Sequence, residues 1–211
     1  MLDVKLKGAG KRFQYDWIFK NLSFDIQSGE SCVITGSNGS GKSTLLKSIS
    51  CISPLTEGQI EFRLNGEEIK EAEIYHHLVI SAPYLELPEE FTLLELLKFH
   101  FKFKKPIQNW NFEQMMERMY LAEHQHKSIN QFSSGMKQRL KIGLCLFSDV
   151  PLVLLDEPTS NLDEKGLFWY LEMIGDFGAN RTIIISSNDP REYGFCKKHI
   201  SIENFKPRPI L

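Results

Sequence analysis

The hydrophobic positions along the chain predict short strands that alternate with helices. Apolar or alternating runs of strand length lie at residues 2–6, 23–26, 31–35, 59–64, 78–82, 152–155, 182–186 and 199–202. Leu, Met and Ile recur at helical spacing over residues 43–50 and in a long block from residue 92 to about residue 146. This order is typical of a largely parallel sheet covered by helices. The first two strands alternate apolar and polar residues, and we expect them to be antiparallel and half exposed.

The helical block is long enough to form a subdomain of its own. We expect residues 1–84 to form an antiparallel β subdomain and the first part of a sheet core. Residues 85–146 then form the helical subdomain, and residues 147–211 form the rest of the core. The three segments together are predicted to make one domain, because a chain of this length can bury one substantial core, or one core with a small satellite subdomain.

The composition excludes several classes of protein. The 211 residues include 27 acidic and 25 basic side chains, for a net charge of −2, and 42% of the residues are hydrophobic. Binding to bulk nucleic acid requires a strong positive excess and disorder requires few apolar residues, so we expect neither. No apolar run approaches the roughly 18 residues that a membrane-spanning helix needs, so we expect no spanning segment.

A glycine-rich turn lies between the strand at 31–35 and the helix at 43–50, and it carries the strongest chemical signal. It fits the pattern of a glycine, four residues, and then Gly-Lys-Ser or Gly-Lys-Thr. Its residues are Gly36, Ser37, Asn38, Gly39, Ser40, Gly41, Lys42, Ser43 and Thr44. Such a loop surrounds phosphate oxygens with backbone N–H groups, its lysine reaches the outer phosphates, and its serine holds Mg²⁺. We therefore predict a nucleotide phosphate site here.

Two acidic residues end an apolar strand late in the chain. Asp156 and Glu157 follow four apolar residues, 152–155. With a phosphate loop already present, we expect the strand to bring Asp156 beside the Mg²⁺ shell. Glu157 would lie where an attacking water must be polarised.

A second helix start that suits a phosphate lies at residues 132–139. Ser133 and Gly135 place a small hydroxyl and a glycine at the start of this helix, whose backbone N–H groups can bind an anion. A single domain has no second nucleotide for this helix start. We therefore interpret it as completing the site of a partner subunit.

The order of these motifs resembles that of the ATP-binding cassette ATPases, the nucleotide-binding subunits of ABC transporters. The phosphate loop, a helical block, the Ser-Ser-Gly segment, Leu-Leu-Asp-Glu and residues 158–163 follow one another as they do in that family. The resemblance implies a P-loop ABC-type α/β fold with a RecA-like, mostly parallel sheet core, a small antiparallel β subdomain and an inserted helical subdomain. It also implies that two cassettes pair head to tail around two ATP molecules, with Mg²⁺.

The resemblance assigns roles to individual residues. Catalysis falls to Glu157, Lys42 and Asn188, and the Mg²⁺ ligands are Ser43 and Asp156. Phe13 is assigned to stacking on the adenine ring, and Tyr15 is the alternative residue for that position. The signature that acts on the partner's ATP comprises Ser133, Ser134, Gly135 and Met136. The loop that couples the two sites across the dimer comprises Ser160, Asn161, Leu162 and Asp163.

Three positions depart from the family pattern. The usual Leu-Ser-Gly-Gly-Gln signature reads Phe-Ser-Ser-Gly-Met here, over residues 132–136. The glutamine that normally touches Mg²⁺ and the attacking water is replaced by Ala82 or Pro83, and Asn188 occupies the place of the switch histidine. An asparagine donates a hydrogen bond but does not share a proton at neutral pH, so we expect slow turnover.

The resemblance also implies partners and a location. The cassette would pair with a copy of itself or with another ABC ATPase subunit, and it would bind a transmembrane permease from the cytoplasmic face of the membrane. Two alternatives stay open: a soluble cassette acting on ribosomes or DNA, and a non-catalytic nucleotide sensor. The first is disfavoured because its members carry two cassettes or a long coiled coil. Small GTPases and nucleotide kinases lack the signature segment.

Overall fold

The chain divides into two compact units. The computed structural model describes residues 2–207, so Met1 and the last four residues of the predicted 147–211 segment lie outside the described residues. The first unit, called the sheet unit, comprises described residues of 1–80, 151–157 and 180–211. The second, called the helical unit, comprises residues 81–150 and 158–179. The three-segment division made from the sequence stays a prediction.

A five-stranded sheet in the order β6-β7-β8-β3-β9 forms the centre of the sheet unit. Its strands are β3 (Ser31–Thr35), β6 (Leu78–Ser81), β7 (Leu152–Asp156), β8 (Thr182–Ser186) and β9 (Lys198–Ser201). The β3–β8, β3–β9 and β7–β8 pairs are parallel. Every residue of β7 and β8 is buried, as expected for a parallel sheet covered on both faces. The register places Asp156 opposite Ser186, so both strands end at the same edge of the sheet.

A second, antiparallel sheet contains the early strands, as predicted. It comprises β1 (Leu2–Phe13), β2 (Asp16–Ile26), β4 (Glu57–Leu64) and β5 (Glu67–Ile69), in the order β2-β1-β4-β5. The first two strands are longer than the predicted 2–6 and 23–26. Their pairing shifts register between Leu6 and Ala9, where Gly8 has a φ of 57°. The irregularity interrupts the alternation of apolar and polar residues, so the pattern stops before the strand does.

The core of the sheet unit joins both sheets to the helix after the phosphate loop. Helix α1 (Lys42–Ile49) buries Leu45, Leu46 and Ile49 and contacts β7 and β8. These side chains belong to one apolar cluster with residues of both sheets, such as Val4 and Leu154. The helix that begins at the phosphate loop is thereby packed against β7 and β8. A short helix, α6 (Pro190–Tyr193), precedes β9.

The helical unit contains four α-helices. They are α2 (Leu93–His100), α3 (Phe112–Arg118), α4 (Ser134–Leu146) and α5 (Glu164–Phe177). Thr92 with Glu95 and Asn111 with Gln114 form reciprocal hydrogen bonds that satisfy the free N–H groups at the starts of α2 and α3. Trp169 donates its indole N–H to the Arg118 carbonyl at 2.7 Å, which joins α5 to α3.

Helix α5 is an element that the hydrophobic pattern did not predict. It carries the signals of a helix, since Asp163 caps its first turn and accepts a hydrogen bond from the Gly166 N–H at 2.8 Å. Its buried residues recur at helical spacing, and they include Tyr170, Met173 and Ile174. The predicted fold class is confirmed by the parallel sheet, the antiparallel sheet and the helical unit. Over residues 2–207, no helix has the length and apolar character that crossing a membrane requires.

His100 at the end of α2 is a titratable group held in its neutral form. Its Nε2 lies 2.8 Å from the Ser148 hydroxyl, which donates to the Leu144 carbonyl at 2.6 Å. Burial, and then the neighbouring Lys104 cation, lower the pKa of His100 to about 4.

The free energy of unfolding is therefore expected to decrease as the pH is lowered from about 6.5 to about 4. The unfolded chain takes up a proton at His100 in this window and the folded chain does not, so protons favour unfolding. Up to about 3 kcal/mol is involved. Urea titrations of the wild type and of His100→Gln at pH 7 and pH 5 measure it, with His126→Gln as a control for an exposed histidine. A His100→Gln variant that loses as much stability as the wild type would contradict the assignment.

Candidate functional site

The phosphate loop lies between β3 and α1 in a conformation that glycine permits. Gly36 and Gly41 have φ values of 147° and 106°, which most residues avoid. A side chain at Gly41 would place its Cβ 2.2 Å from Cγ2 of Ile18, and one at Gly36 would place it 2.8 Å from Cγ2 of Ile202. The loop backbone is therefore enclosed by apolar side chains of β2 and of the 3₁₀ turn Ile202–Phe205. This crowding explains glycine at positions 36 and 41, whereas Gly39 has open space around it and a φ of 75°.

A cavity of about 210 Å³ opens beside the loop. It is lined by Ile18, residues 38–44 and Glu157. Lys42 is buried, and its ammonium donates to the carbonyls of Gly36 at 2.8 Å and of Ser37 at 3.3 Å. The lysine thus binds the loop's own backbone, beside a space lined by the loop's backbone and hydroxyl side chains.

Asp156 ends β7 as a buried carboxylate. It is 1% exposed, and both its oxygens lack a hydrogen-bond partner among residues 2–207. A buried charge without a partner is costly, whereas carboxylate oxygen is a ligand that Mg²⁺ prefers. The donor set of Asp156 therefore fits a cation.

Glu157, the next residue, holds a strained backbone conformation. Its φ is 45°, in the left-handed region that few non-glycine residues adopt, and its N–H donates to the Ser186 carbonyl at 2.8 Å. Residues held in this way cluster at functional sites. The conformation accompanies an exposed carboxylate that lines the cavity beside the phosphate loop.

Asn188, after β8, contacts the phosphate loop directly. Its Oδ1 accepts a hydrogen bond from the Gly36 N–H at 3.3 Å, and its Nδ2 donates to Oδ1 of Asn38 at 3.3 Å. The structure therefore brings three predicted catalytic groups to one loop or its cavity. Lys42 and Asn188 touch the loop, and Glu157 lines the cavity.

Phe13 and Tyr15 lie at the turn between β1 and β2, outside the group of residues that line the cavity in the described structure. Phe13 is 50% exposed and Tyr15 is 92% exposed, so neither is a core residue. The Lys11 ammonium lies 5.0 Å from the centre of the Phe13 ring. Phe13 thus keeps an accessible aromatic surface, and its contact with adenine stays a prediction.

The signature residues form an exposed helix start in the helical unit. The Ser133 hydroxyl accepts a hydrogen bond from the Met136 N–H at 3.2 Å and caps α4, and both Ser133 and Ser134 are exposed. A Cβ at Gly135 would lie 3.3 Å from the Asn161 carbonyl. The signature and the predicted coupling loop, residues 160–163, are therefore neighbours within one unit.

Sequence reasoning missed three polar residues that support these segments. Gln138 is buried and donates to the Pro158 carbonyl at 2.6 Å. Lys141, whose pKa burial lowers, donates to the Ala82 carbonyl at 3.2 Å. Glu203 accepts a hydrogen bond from the Ser37 N–H at 2.8 Å. Only Gln138 could have been found from the sequence, because it lies at a fixed spacing within the signature helix. The contacts of Lys141 and Glu203 join distant parts of the sequence, so no local pattern indicates them.

Comparison with known proteins decides the family. The family model described as ABC transporter matches residues 19–160, which include the phosphate loop, the signature and the acidic strand. The chain belongs to the ABC transporter family. It is an ATP-binding subunit of that family and an ATPase, as the order of its motifs predicted.

Individual relatives agree with this assignment of the cassette. An uncharacterized ABC transporter ATP-binding protein of Bacillus subtilis (strain 168) is 31% identical over 187 residues, which cover 88% of this cassette and 85% of that protein. A cytochrome c biogenesis ATP-binding export protein of Reclinomonas americana is 35% identical over 150 residues, covering 70% and 67%. A solved dimeric bacterial ABC transporter cassette has a TM-score of 0.76 at 24% identity, with 94% of each chain covered. The last likeness shows that the fold is shared.

Proposed function

We propose that this cassette works as a homodimer that closes around two ATP molecules and drives a separate transmembrane subunit. The observation that supports the proposal is that one chain carries two different surfaces that suit an anion. One is the phosphate loop with Lys42 and the buried Asp156, and the other is the exposed start of α4. The location at the cytoplasmic face of a membrane, through the transmembrane partner, belongs to the same proposal.

The helix start supports pairing between cassettes. The Ser133 and Ser134 side chains are exposed, and the positive end of a helix of 13 residues favours an anion there. A second copy of the chain supplies the same two surfaces, so head-to-tail pairing completes two sites at once. A homodimer therefore needs no other protein to complete its nucleotide sites.

Mg²⁺ fits the residues at the edge of the parallel sheet. Ser43 and Asp156 would hold it, since the Asp156 carboxylate is buried and has no other partner in the described part of the chain. When bound, Mg²⁺ neutralises negative charge on the phosphates. The Lys42 ammonium, which contacts two loop carbonyls, is the chain's own cation for the same phosphates.

We assign proton transfer to Glu157 and positioning to Asn188. Glu157 lines the cavity as an exposed carboxylate and can accept a proton from the attacking water. Asn188 contacts the loop, and its amide can donate a hydrogen bond to a phosphate oxygen but cannot act as an acid or a base near neutral pH. The residues after β6, Ala82 and Pro83, carry no polar side chain. We therefore propose that turnover is slow.

Replacing Glu157 with Gln is expected to stop hydrolysis and to leave ATP bound. The amide keeps the size of the side chain and cannot act as a base, so the rate should fall by about a hundredfold or more. Phosphate release and nucleotide retention on the purified protein measure the two effects. Glu67→Gln, at an exposed position on β5, is the matched control. Equal rates in the wild type and in Glu157→Gln would exclude Glu157 as the base.

Replacing Ser134 with Glu is expected to prevent ATP-dependent dimerisation. An acidic residue in the first turn suits the helix dipole, so α4 is preserved while a negative charge meets the partner's phosphates. Sedimentation of the Glu157→Gln protein with ATP, with and without the second substitution, measures the dimer. Ser134→Gln, which is close in size and neutral, should weaken the dimer far less. Undiminished dimer with Ser134→Glu would contradict the proposed role of the signature.

A further inference from the structure

Glu203 is a charged residue beside the phosphate loop that none of the roles above uses. It belongs to the 3₁₀ turn Ile202–Phe205, which follows β9. Ile202 is fully buried in the core of the sheet unit, and its Cγ2 lies 2.8 Å from where a Cβ on Gly36 would be. The buried isoleucine therefore anchors the turn against the loop, and it places the next side chain at the loop's outer edge.

One peptide group of the loop is bound at both ends by opposite charges. The peptide between Gly36 and Ser37 donates its N–H to Oε1 of Glu203 at 2.8 Å. The carbonyl of the same peptide accepts a hydrogen bond from the Lys42 ammonium, also at 2.8 Å. Hydrogen bonds in series polarise one another, so an anion at the N–H makes the carbonyl a stronger acceptor. The two charged side chains act on each other through this peptide.

The carboxylate form of Glu203 is favoured by the same contacts. Hydrogen bonds from the Ser37 backbone and hydroxyl hold the pKa of Glu203 below its ordinary value, with smaller effects from the Lys206 cation and then the Lys42 cation. At neutral pH the residue therefore carries a full negative charge, and the contact with the Ser37 N–H is charge-assisted.

We propose that Glu203 is a positioning residue that keeps Lys42 on the Gly36 carbonyl until a phosphate takes the ammonium. The inference rests on the proposed role of the loop in binding ATP. It adds a residue outside the loop that sets the affinity of the loop for ATP. The Lys42 ammonium has three hydrogens and donates two of them to the carbonyls of Gly36 and Ser37. Phosphates that take more than the third hydrogen must displace a carbonyl, so a stronger Gly36 carbonyl competes with the nucleotide. Glu203 thereby lowers the affinity for ATP while it orders the loop.

Glu203→Gln tests the inference, because the amide keeps an acceptor oxygen and removes the charge. We expect this variant to bind ATP about two- to fivefold more tightly than the wild type, the range that exposed ionic contacts give. Glu68→Gln, an exposed residue of β5 with the same change of charge, should bind like the wild type. Calorimetric titration with ATP and Mg²⁺ measures all three proteins.

Two further readouts separate this mechanism from simpler ones. Repulsion between Glu203 and ATP through solvent would disappear at about 0.5 M salt. An effect through the peptide should instead preserve the ratio of the ATP affinities of Glu203→Gln and the wild type. The amide proton resonance of Ser37 should move upfield in Glu203→Gln and not in Glu68→Gln. Unchanged or weaker ATP binding, a ratio that vanishes in salt, or an unmoved resonance overturns the inference. A wild type that binds no ATP refutes the proposed function instead.

Discussion

The unpaired carboxylate of Asp156 is the constraint on which the site depends. A fully buried apolar strand carries this charge to the edge of the parallel sheet, where both its oxygens lack a partner within residues 2–207. An isolated buried charge is costly, so the fold gives up stability here that the proposed cation would restore. The strained backbone of Glu157, the next residue, adds to that cost. The end of β7 is therefore built for a ligand, and its stability should depend on that ligand.

The phosphate loop differs from this, because the chain itself binds several of its polar groups, although the buried Ser40 hydroxyl has no hydrogen-bond partner among residues 2–207. Lys42 donates to loop carbonyls, and Asn188 bridges Gly36 and Asn38. Glu203 accepts a hydrogen bond from the Ser37 N–H. These contacts hold the loop in shape before a nucleotide arrives, which lowers the entropy cost of binding. Some of them must also be exchanged for contacts with phosphate. The loop's affinity is thus a difference between two sets of hydrogen bonds, and side chains outside the motif can adjust it.

Local signals explain what the sequence could predict. The phosphate loop is one continuous motif, the buried strands are short apolar runs, and the fold class followed from their order. The long β1 was underestimated because the irregularity near Gly8 breaks its alternation. Helix α5 was missed although Asp163 caps it. The contact of Glu203 with Ser37 joins residues 166 positions apart, and only the folded sheet brings them together.

The central claim is that one chain holds half of each ATP site. It is tested most directly by the ATPase rate per molecule, measured over a wide range of concentrations of the purified chain. A site completed by a second copy predicts a rate per molecule that falls towards zero as dilution separates the dimer, in step with the loss of dimer seen by sedimentation. A rate per molecule that stays constant under conditions where the chain is monomeric would contradict the account.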